Sequence, residues 1–461
     1  MSFDPKVGIF LTPTATGTES GAGRRITGLA AAAKAMIHVA TKNTAINERG
    51  GMRYGIGFSD GGGAHTGTTP NFTAHNLAQA DGRNNNVAAS TGEKQRSYNF
   101  DQSVLLFDEF TPATLIEGRV NTFDSDGIAY IWGKVDAGNQ YETPYILFTG
   151  SDITNVKSGM FKLNTSVGAG TEVNISFDPD IIFSINCGSA SDPNANPVTG
   201  RNCFGVAKKT SAGWVVASGG ANATSPTKTR RYQRKEDSLI CGAAIDSTTP
   251  AIKTEWKVSA TSANGFTPYT VTTDGEGDWI YFLALKGGSY SLGSFLAPTT
   301  GTTPFDLDIT YSPTFVGKLV ILASVNDVAQ TTNQAGSRLS IGAFTGTSAR
   351  WSWWGADSDA VTTTIGRSQV DDTRCLRLAT ESSTPAPSAT DNFVCDVGAT
   401  AFPASGQFRL SVKTRNTTAY EVVYLVVGDT VAAATGSLFT ANNYMDLSGL
   451  GSAGPFYKNP L

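Results

Sequence analysis

The chain has 461 residues, of which 40% are hydrophobic and only 16% are charged, and its 50 glycines exceed the usual share. This length is more than one hydrophobic core can support, so we expect two to four domains. The net charge of −4 argues against general nucleic-acid binding, which needs a large positive field.

No apolar stretch approaches the roughly 20 residues needed to span a bilayer, and residues 1–6 lead into a strand-like run without a secretory signal. We therefore expect neither a membrane nor nucleic acid among the partners. Five cysteines in so long a chain do not make a disulfide framework. Cys187 and Cys203 are the only two that we expect on neighbouring strands. We interpret the cysteines as free buried thiols of a protein that folds in a reducing cytosol.

Five elements recur in a fixed order three times along the chain. The first is a short strand with Gly and then Phe, followed by a loop rich in Thr, Gly and Ser. It occupies 7–11, 158–162 and 292–296. The second is an apolar run that is followed, after a polar loop, by a paired strand with interspersed glycines. The apolar runs are 35–40, 181–185 and 318–323, and the paired strands are 53–58, 202–206 and 338–344.

The third element is an arginine, a few polar residues and an acid, which lead into an apolar strand. Its copies are Arg96 with Asp101, Arg231 with Asp237, and Arg367 with Asp372. Active sites seldom occur in triplicate, whereas contacts that stabilise a fold do. We therefore interpret each arginine and its acid as an ion pair or hydrogen bond at a turn or strand end.

The fourth element is a Gly turn that opens an alternating strand, and the fifth is an apolar closing strand that ends in Gly. The turns and their strands lie at 126–131, 264–266 and 405–410, and the closing strands at 145–150, 279–287 and 422–428. Strong helical periodicity is nearly absent, and only 29–34 could form a short helical turn. The sequence therefore predicts an all-β chain of three tandem antiparallel β-sandwich domains, of jelly-roll or lectin-like type.

We place the domains at 1–152, 153–288 and 289–461. The last includes an extra strand and tail, because the opening element recurs a fourth time at 435–439. Such a strand would complete the edge of the preceding domain or of a neighbouring chain. In the first case, each opening strand would complete the sheet of the copy before it.

The module resembles one found in predicted structural proteins of tailed bacteriophages and prophages. In that family a Phe-x-Pro segment precedes the apolar strand, the glycine-rich strand, the Arg-to-Asp element and the closing strand. Residues 177–179 and 311–313 carry the first feature, whereas the first copy has Thr27-Gly28-Leu29 instead. The resemblance implies a virion component, assembled in the host cytoplasm, and implies no activity or catalytic residue.

Residue types that carry catalysis or bind metals are scarce. His38 lies within an apolar strand, which favours a core histidine, and His65 and His75 lie in a polar loop without an evident third ligand. Acidic turns at 124–127 and 274–278 could hold calcium, but turn chemistry is the simpler explanation, since Asp caps its own turn. We expect no enzyme activity, no catalytic residue, no bound metal and no cofactor.

Two clusters are candidate contact or ligand surfaces. The indoles of Trp351, Trp353 and Trp354 could form an exposed platform for a glycan or protein, or they could fill the core or a seam with a neighbour. Alternation would place the first two on one face of a strand and the third on the other. A basic run could contact an acidic neighbour in an assembly. Its charged candidates are Arg230, Arg231, Arg234 and Lys235.

The sequence thus favours a virion structural protein, either tail-associated or a capsid decoration, that acts through protein–protein contacts. Its partners would be other virion proteins and copies of itself. The alternative is a carbohydrate- or receptor-binding β-sandwich module of the phage adsorption apparatus, with a host surface glycan as its ligand.

Overall fold

The structure is a computed structural model, which describes a set of ranges separated by gaps. They are 2–19, 25–44, 49–50, 53–61, 74–81, 95–100, 104–107, 114–186, 200–209, 212–220, 229–236, 244–245, 252–328, 334–357, 366–380 and 389–429. The chain is all-β with antiparallel sheets, as predicted. Among the described residues, no helix has the length and apolar character needed to cross a membrane. Met1–Thr430 form one compact unit, in which the described sheets lie.

The first sheet pair comes from the first third of the chain. Its strands are β1 (Lys6–Leu11), β2 (Gly17–Thr18), β3 (Ile26–Thr27), β4 (Ala33–Thr41), β5 (Arg49–Gly50), β6 (Arg53–Ser59), β7 (Ala74–Asp81), β8 (Gln95–Phe100), β9 (Val104–Phe107), β10 (Thr114–Asp124), β11 (Gly127–Lys134) and β12 (Glu142–Thr149). The large sheet has the order β1-β12-β4-β6-β7-β8 and the small sheet β2-β11-β10-β9, with β3 also paired to β11.

The second sheet pair follows. Its strands are β13 (Asn155–Lys162), β14 (Gly168–Ala169), β15 (Val173–Asn174), β16 (Ile181–Asn186), β17 (Gly200–Lys208), β18 (Ala212–Gly220), β19 (Thr229–Glu236), β20 (Ala244–Ile245), β21 (Ile252–Ser262), β22 (Gly265–Thr272) and β23 (Trp279–Lys286). The large sheet has the order β13-β23-β16-β17-β18-β19, and the small sheet has the order β14-β22-β21-β20, with β15 also paired to β22.

The third sheet pair ends the described chain. Its strands are β24 (Ser289–Leu296), β25 (Phe305–Thr310), β26 (Gly317–Ser324), β27 (Gln334–Ala335), β28 (Ser337–Phe344), β29 (Arg350–Asp357), β30 (Arg367–Asp371), β31 (Leu376–Thr380), β32 (Thr390–Val397), β33 (Gln407–Thr414) and β34 (Glu421–Gly428). The large sheet has the order β24-β34-β26-β28-β29-β30 and the small sheet β25-β33-β32-β31.

The three large sheets have the same strand order, and two of them gain a further edge strand from another pair. The short strand β27 of the third pair joins the second large sheet beside β19. The short strand β5 of the first pair joins the third large sheet beside β30. The first pair therefore gives a strand to the third pair, and the third pair gives a strand to the second.

Each large sheet packs one face on its own small sheet, which forms three separate sandwich cores. In the second pair, Ile182 and Phe282 of the large sheet pack with Trp256 and Phe266 of the small sheet. Equivalent clusters fill the first and third pairs. These are the sandwiches that the alternating strands predict.

The opposite faces of the three large sheets pack against one another in a shared central core. Its buried members include Val39, Phe148, Phe183, Leu283, Ile321 and Leu425. Neighbouring residues alternate between the two kinds of core, since Ile182 lies in a sandwich core and Phe183 in the central core. Strands buried on both faces carry continuous apolar runs, which explains the second and fifth sequence elements.

The predicted domain bounds 1–152, 153–288 and 289–461 separate the three sheet pairs, except for the exchanged strands. The compact unit Met1–Thr430 is not divided at these bounds, which stay a prediction. The opening strands do not complete the preceding sheet: β13 pairs with β23 and β24 with β34, each within its own pair. That hypothesis was wrong, and its fourth copy at 435–439 lies outside the described residues. Lys34 lies in β4, so the predicted helical turn is not formed there.

The glycine of the opening element makes room for an aromatic ring of the closing strand. Gly8 lies opposite Tyr145, Gly159 opposite Phe282, and Gly293 opposite Tyr424. A Cβ at Gly159 would lie 2.6 Å from Cζ of Phe282, so the ring covers the space that a side chain would take. The recurrent Gly is therefore a packing requirement of the first two strands of each large sheet.

Gly342 of β28 generates a stability prediction. A Cβ there would lie 1.8 Å from the backbone oxygen of Cys375, which has little freedom to move. We expect Gly342→Ala to lower the free energy of unfolding by about 2–3 kcal/mol or more through overpacking. Gly346 is a control on the same hairpin, since a Cβ there meets nothing within 4 Å. Gly346→Ala should change stability by less than about 0.5 kcal/mol in urea unfolding. Equal effects of the two variants would contradict the prediction.

Candidate functional site

The three sheet pairs meet at seams around the central core, and equivalent strand positions reach across them. Trp214 on β18 lies opposite Val206, and Trp351 on β29 lies opposite Ala343. Both indoles are fully buried. The indole Nε1 of Trp214 donates to the backbone oxygen of Tyr424, at 3.0 Å, and that of Trp351 donates to the backbone oxygen of Tyr145, at 2.9 Å.

These two hydrogen bonds join successive pairs in the same direction. The second pair donates to the closing strand of the third, and the third donates to the closing strand of the first. In the first large sheet the equivalent position is His75, which lies opposite Phe58. The side chain of His75 lies outside the described residues. The seams therefore use equivalent positions of a common topology.

Trp214 was not identified from the sequence as the counterpart of Trp351. The spacing from a glycine in the neighbouring strand could have identified it. Trp214 follows Gly205 by the same number of residues as Trp351 follows Gly342, and both glycines lie in the strand that pairs with the indole's strand.

The seam between the second and third pairs also contains buried polar contacts. The side chain of Arg231 lies 3.4 Å from Asp327, measured from Nε to Oδ2, and both are about nine-tenths buried. Its Nη1 donates to the backbone oxygens of Ala335 and Gly336. Removing one partner of a buried ion pair leaves an uncompensated charge, which strongly destabilises a fold. This ion pair therefore fixes the third pair against β19.

Gln233 extends the same seam. Its Nε2 donates to the backbone oxygen of Glu421 at 3.2 Å, and its Oε1 accepts from the backbone nitrogen of Val325 at 3.0 Å. Alternate residues of β19 thus bind the backbone of the third pair, as the period of a strand requires.

The structure gives Arg231 a partner that was not predicted from the sequence, Asp327 of the third pair. The predicted Asp237 lies outside the described residues, so its pairing with Arg231 stays a prediction. The strand register also shows that Arg230 is the equivalent of Arg367, since they lie opposite Gly219 and Ala356. The arginine element thus belongs to an edge strand at a seam.

Polar contacts also join the other two seams. Between the third and first pairs, Nδ2 of Asn43 donates to the backbone oxygen of Ser368 at 3.3 Å. Between the first and second pairs, the backbone nitrogen of Ser158 donates to Asp60 at 2.9 Å. Several of the polar groups that the shared core removes from water are in this way satisfied across the seams.

Trp351, Trp353 and Trp354 are all buried, so of the two alternatives expected from the sequence they fill a core or a seam and do not form an exposed platform. Trp353 packs on Tyr54 of the first pair with ring centroids 4.5 Å apart. Trp354 faces the other side of β29, where the guanidinium of Arg377 lies 4.8 Å from its ring centroid. The predicted alternation of the three indoles is confirmed, and they fill a core and a seam.

The basic run is also used largely within the chain. Arg231 is buried against Asp327, and Arg234 donates to Glu255 at 2.5 Å. Lys235 is exposed and lies 3.3 Å from Oγ of Ser294. Arg230 pairs with Ala335 through the backbone, and its side chain lies outside the described residues. Among those of the four predicted residues whose side chains the structure describes, Lys235 alone is exposed.

The acidic turns adopt local turn geometry. Asp274 accepts a hydrogen bond from the backbone nitrogen of Glu276 at 3.2 Å, and Asp124 ends a hairpin strand opposite Gly127. In the part of the chain that the structure describes, no group of three or more His, Cys, Asp or Glu side chains is placed to hold a metal ion. His65 lies outside that part.

His38 lies in the sandwich core of the first pair, as interpreted. Its Nε2 lies 3.0 Å from the hydroxyl of Tyr130, and that hydroxyl donates to Sδ of Met36 at 3.4 Å. Burial lowers the pKa of His38 from 6.5 to about 3, so the imidazole is neutral at physiological pH.

This shift predicts an acid-dependent loss of stability. Between pH 6.5 and about 3 the unfolded chain binds a proton at His38 that the folded chain does not bind. The free energy of unfolding should therefore fall as pH is lowered through this window, by up to about 1.4 kcal/mol per pH unit from this group. Above the window the group has no effect.

His38→Leu tests this prediction, because Leu322 occupies the equivalent position of the third large sheet. The difference in unfolding free energy between the wild-type chain and this variant should change with pH only in the window. The carboxylates are common to both chains, so their contributions to the pH dependence cancel in that difference. Parallel pH profiles for the two chains would contradict it.

The indole hydrogen bonds generate a second prediction. Trp214→Phe and Trp351→Phe each remove a buried donor from a seam but keep an aromatic ring. Trp353→Phe is the matched control, because its Nε1 has no hydrogen-bond partner. We expect the first two variants to lose about 1–2 kcal/mol more unfolding free energy than the control. Equal losses in chemical unfolding would show that the hydrogen bonds do not stabilise the seams.

Comparisons of the chain with protein-family models, with curated proteins and with solved structures found no match. The function is therefore inferred from the sheets, the shared core and the contacts at the seams.

Proposed function

We propose that the chain is a structural component of a tailed-phage virion, either a tail-associated protein or a capsid decoration, that acts through protein–protein contacts without catalysis. The observation that carries this proposal is the central core shared by the three large sheets. Domains joined by a large hydrophobic interface do not move independently, so the three sheet pairs form a rigid building block. A particle that must withstand mechanical load requires such blocks.

The strand exchange supports the same role. The edges of β19 and β30 are covered by short strands of other pairs, which reduces uncontrolled pairing with other chains. Contacts with other virion proteins and with further copies would then be made by defined outer surfaces. The resemblance to phage structural proteins, carried by the Phe-x-Pro segments and the order of the elements that follow them, favours the same role.

The alternative function was a carbohydrate- or receptor-binding module of the adsorption apparatus. It depended on exposed indoles, and the burial of Trp351, Trp353 and Trp354 removes that support. A glycan array probed with the purified chain tests this alternative. Binding to none of the glycans would count against it.

Mass spectrometry of purified particles tests the proposed function. Particles from a lysate of the phage or induced prophage that encodes the chain would be banded in a density gradient. We expect its peptides to follow the particle band at a fixed ratio to the major capsid protein. The chain expressed as a free protein, in a culture that produces no particles, controls for co-sedimentation. Absence of the chain from the particle band would refute the proposal.

A further inference from the structure

Two cysteines of the third pair lie in contact within its sandwich core. Sγ of Cys375 lies 3.6 Å from Sγ of Cys395, and both residues are fully buried. The backbone nitrogen of Cys375 also donates to the backbone oxygen of Cys395 at 3.0 Å. From the sequence we expected only Cys187 and Cys203 on neighbouring strands, and Cys187 lies outside the described residues. The expectation that no other pair is adjacent was wrong.

The fold brings these thiols together through an irregular strand pairing. Cys375 immediately precedes β31, and Cys395 lies in β32 opposite Leu376. The oxygen of Cys375 is held against the backbone of Gly342, which fixes the start of β31 on the large sheet. A disulfide bond is about 2.05 Å long, so the two sulfur atoms need to approach by only about 1.5 Å.

We propose that Cys375 and Cys395 form a redox-sensitive pair that converts from two thiols to a disulfide in an oxidising medium. The bond would fasten β31, an edge strand of the small sheet, to its neighbour β32. This proposal is independent of the virion function, because it concerns the chemistry of the isolated chain.

The oxidant is a small-molecule disulfide such as oxidised glutathione. The thiolate of one cysteine attacks that disulfide, forms a mixed disulfide and releases one small-molecule thiol. The thiolate of the other cysteine then attacks the mixed disulfide, forms the bond between Cys375 and Cys395, and releases a second thiol. Two electrons pass to the oxidant, and the two protons lost by the cysteines end on the released thiols.

Burial determines the rate of this reaction. It raises the pKa of the Cys375 thiol, and neither sulfur is open to solvent in the folded chain. Attack on the oxidant therefore requires local opening of β31 from β32. We expect slow oxidation of the native chain and faster oxidation at urea concentrations below the unfolding transition.

The test uses the full chain, purified in reductant and incubated with a series of ratios of oxidised to reduced glutathione. Remaining thiols are alkylated in denaturant, and the chain is digested. We expect a peptide cross-linked between Cys375 and Cys395, lighter by about 2 Da than the sum of its reduced parts. We also expect oxidation to raise the melting temperature by about 3–6 °C.

Two variants make the assignment specific. Cys395→Ala should lose both the cross-link and the rise in melting temperature. Cys203→Ala removes another buried cysteine, in the second pair, and should retain both. Two fully alkylated cysteines after prolonged oxidation in sub-denaturing urea would overturn the proposal. A cross-link that joins either cysteine to a different one would also overturn it.

Discussion

The shared central core is the constraint on which the rest of the structure depends. Three large sheets each have two covered faces, one against a small sheet and one against the other large sheets. A strand in such a position cannot alternate between apolar and polar residues, and all eight residues of β34 are buried. The long apolar runs are therefore required here. A sandwich whose sheets have one face in solvent would not need them.

The same constraint explains the polar seams. Backbone and side-chain groups at the edges of the large sheets lose water when the pairs come together, so each needs a partner from the neighbouring pair. The Trp214 and Trp351 indoles, the Gln233 amide and the Arg231–Asp327 ion pair supply such partners. The seams thus combine an apolar core, which stabilises association without direction, with polar contacts that fix its register.

Much of the fold could be predicted from local sequence patterns. The glycine of the opening strand, the apolar closing strand and the alternation at Trp351–Trp354 depend on neighbouring residues or on the period of a strand. The seams could not be predicted, because Arg231 and Asp327 or Cys375 and Cys395 come together only through the topology. The exchanged strands β5 and β27 have two residues each, too few to produce a periodic pattern. A strand exchange was expected, but it was assigned to the wrong element.

The covalent linkage of the three pairs has a physical consequence for assembly. Joining the pairs in one chain makes their association intramolecular, which raises the effective concentration at each seam. It also allows the seams to differ, because each is formed by different residues of one sequence. The seam between the second and third pairs has a buried ion pair, whereas the seam between the third and first pairs has the indole of Trp353 packed against Tyr54. A body with a common topology but three distinct seams and outer surfaces can present a different face to each neighbour. This combination of rigidity and asymmetry suits a component that occupies one defined place in a larger particle.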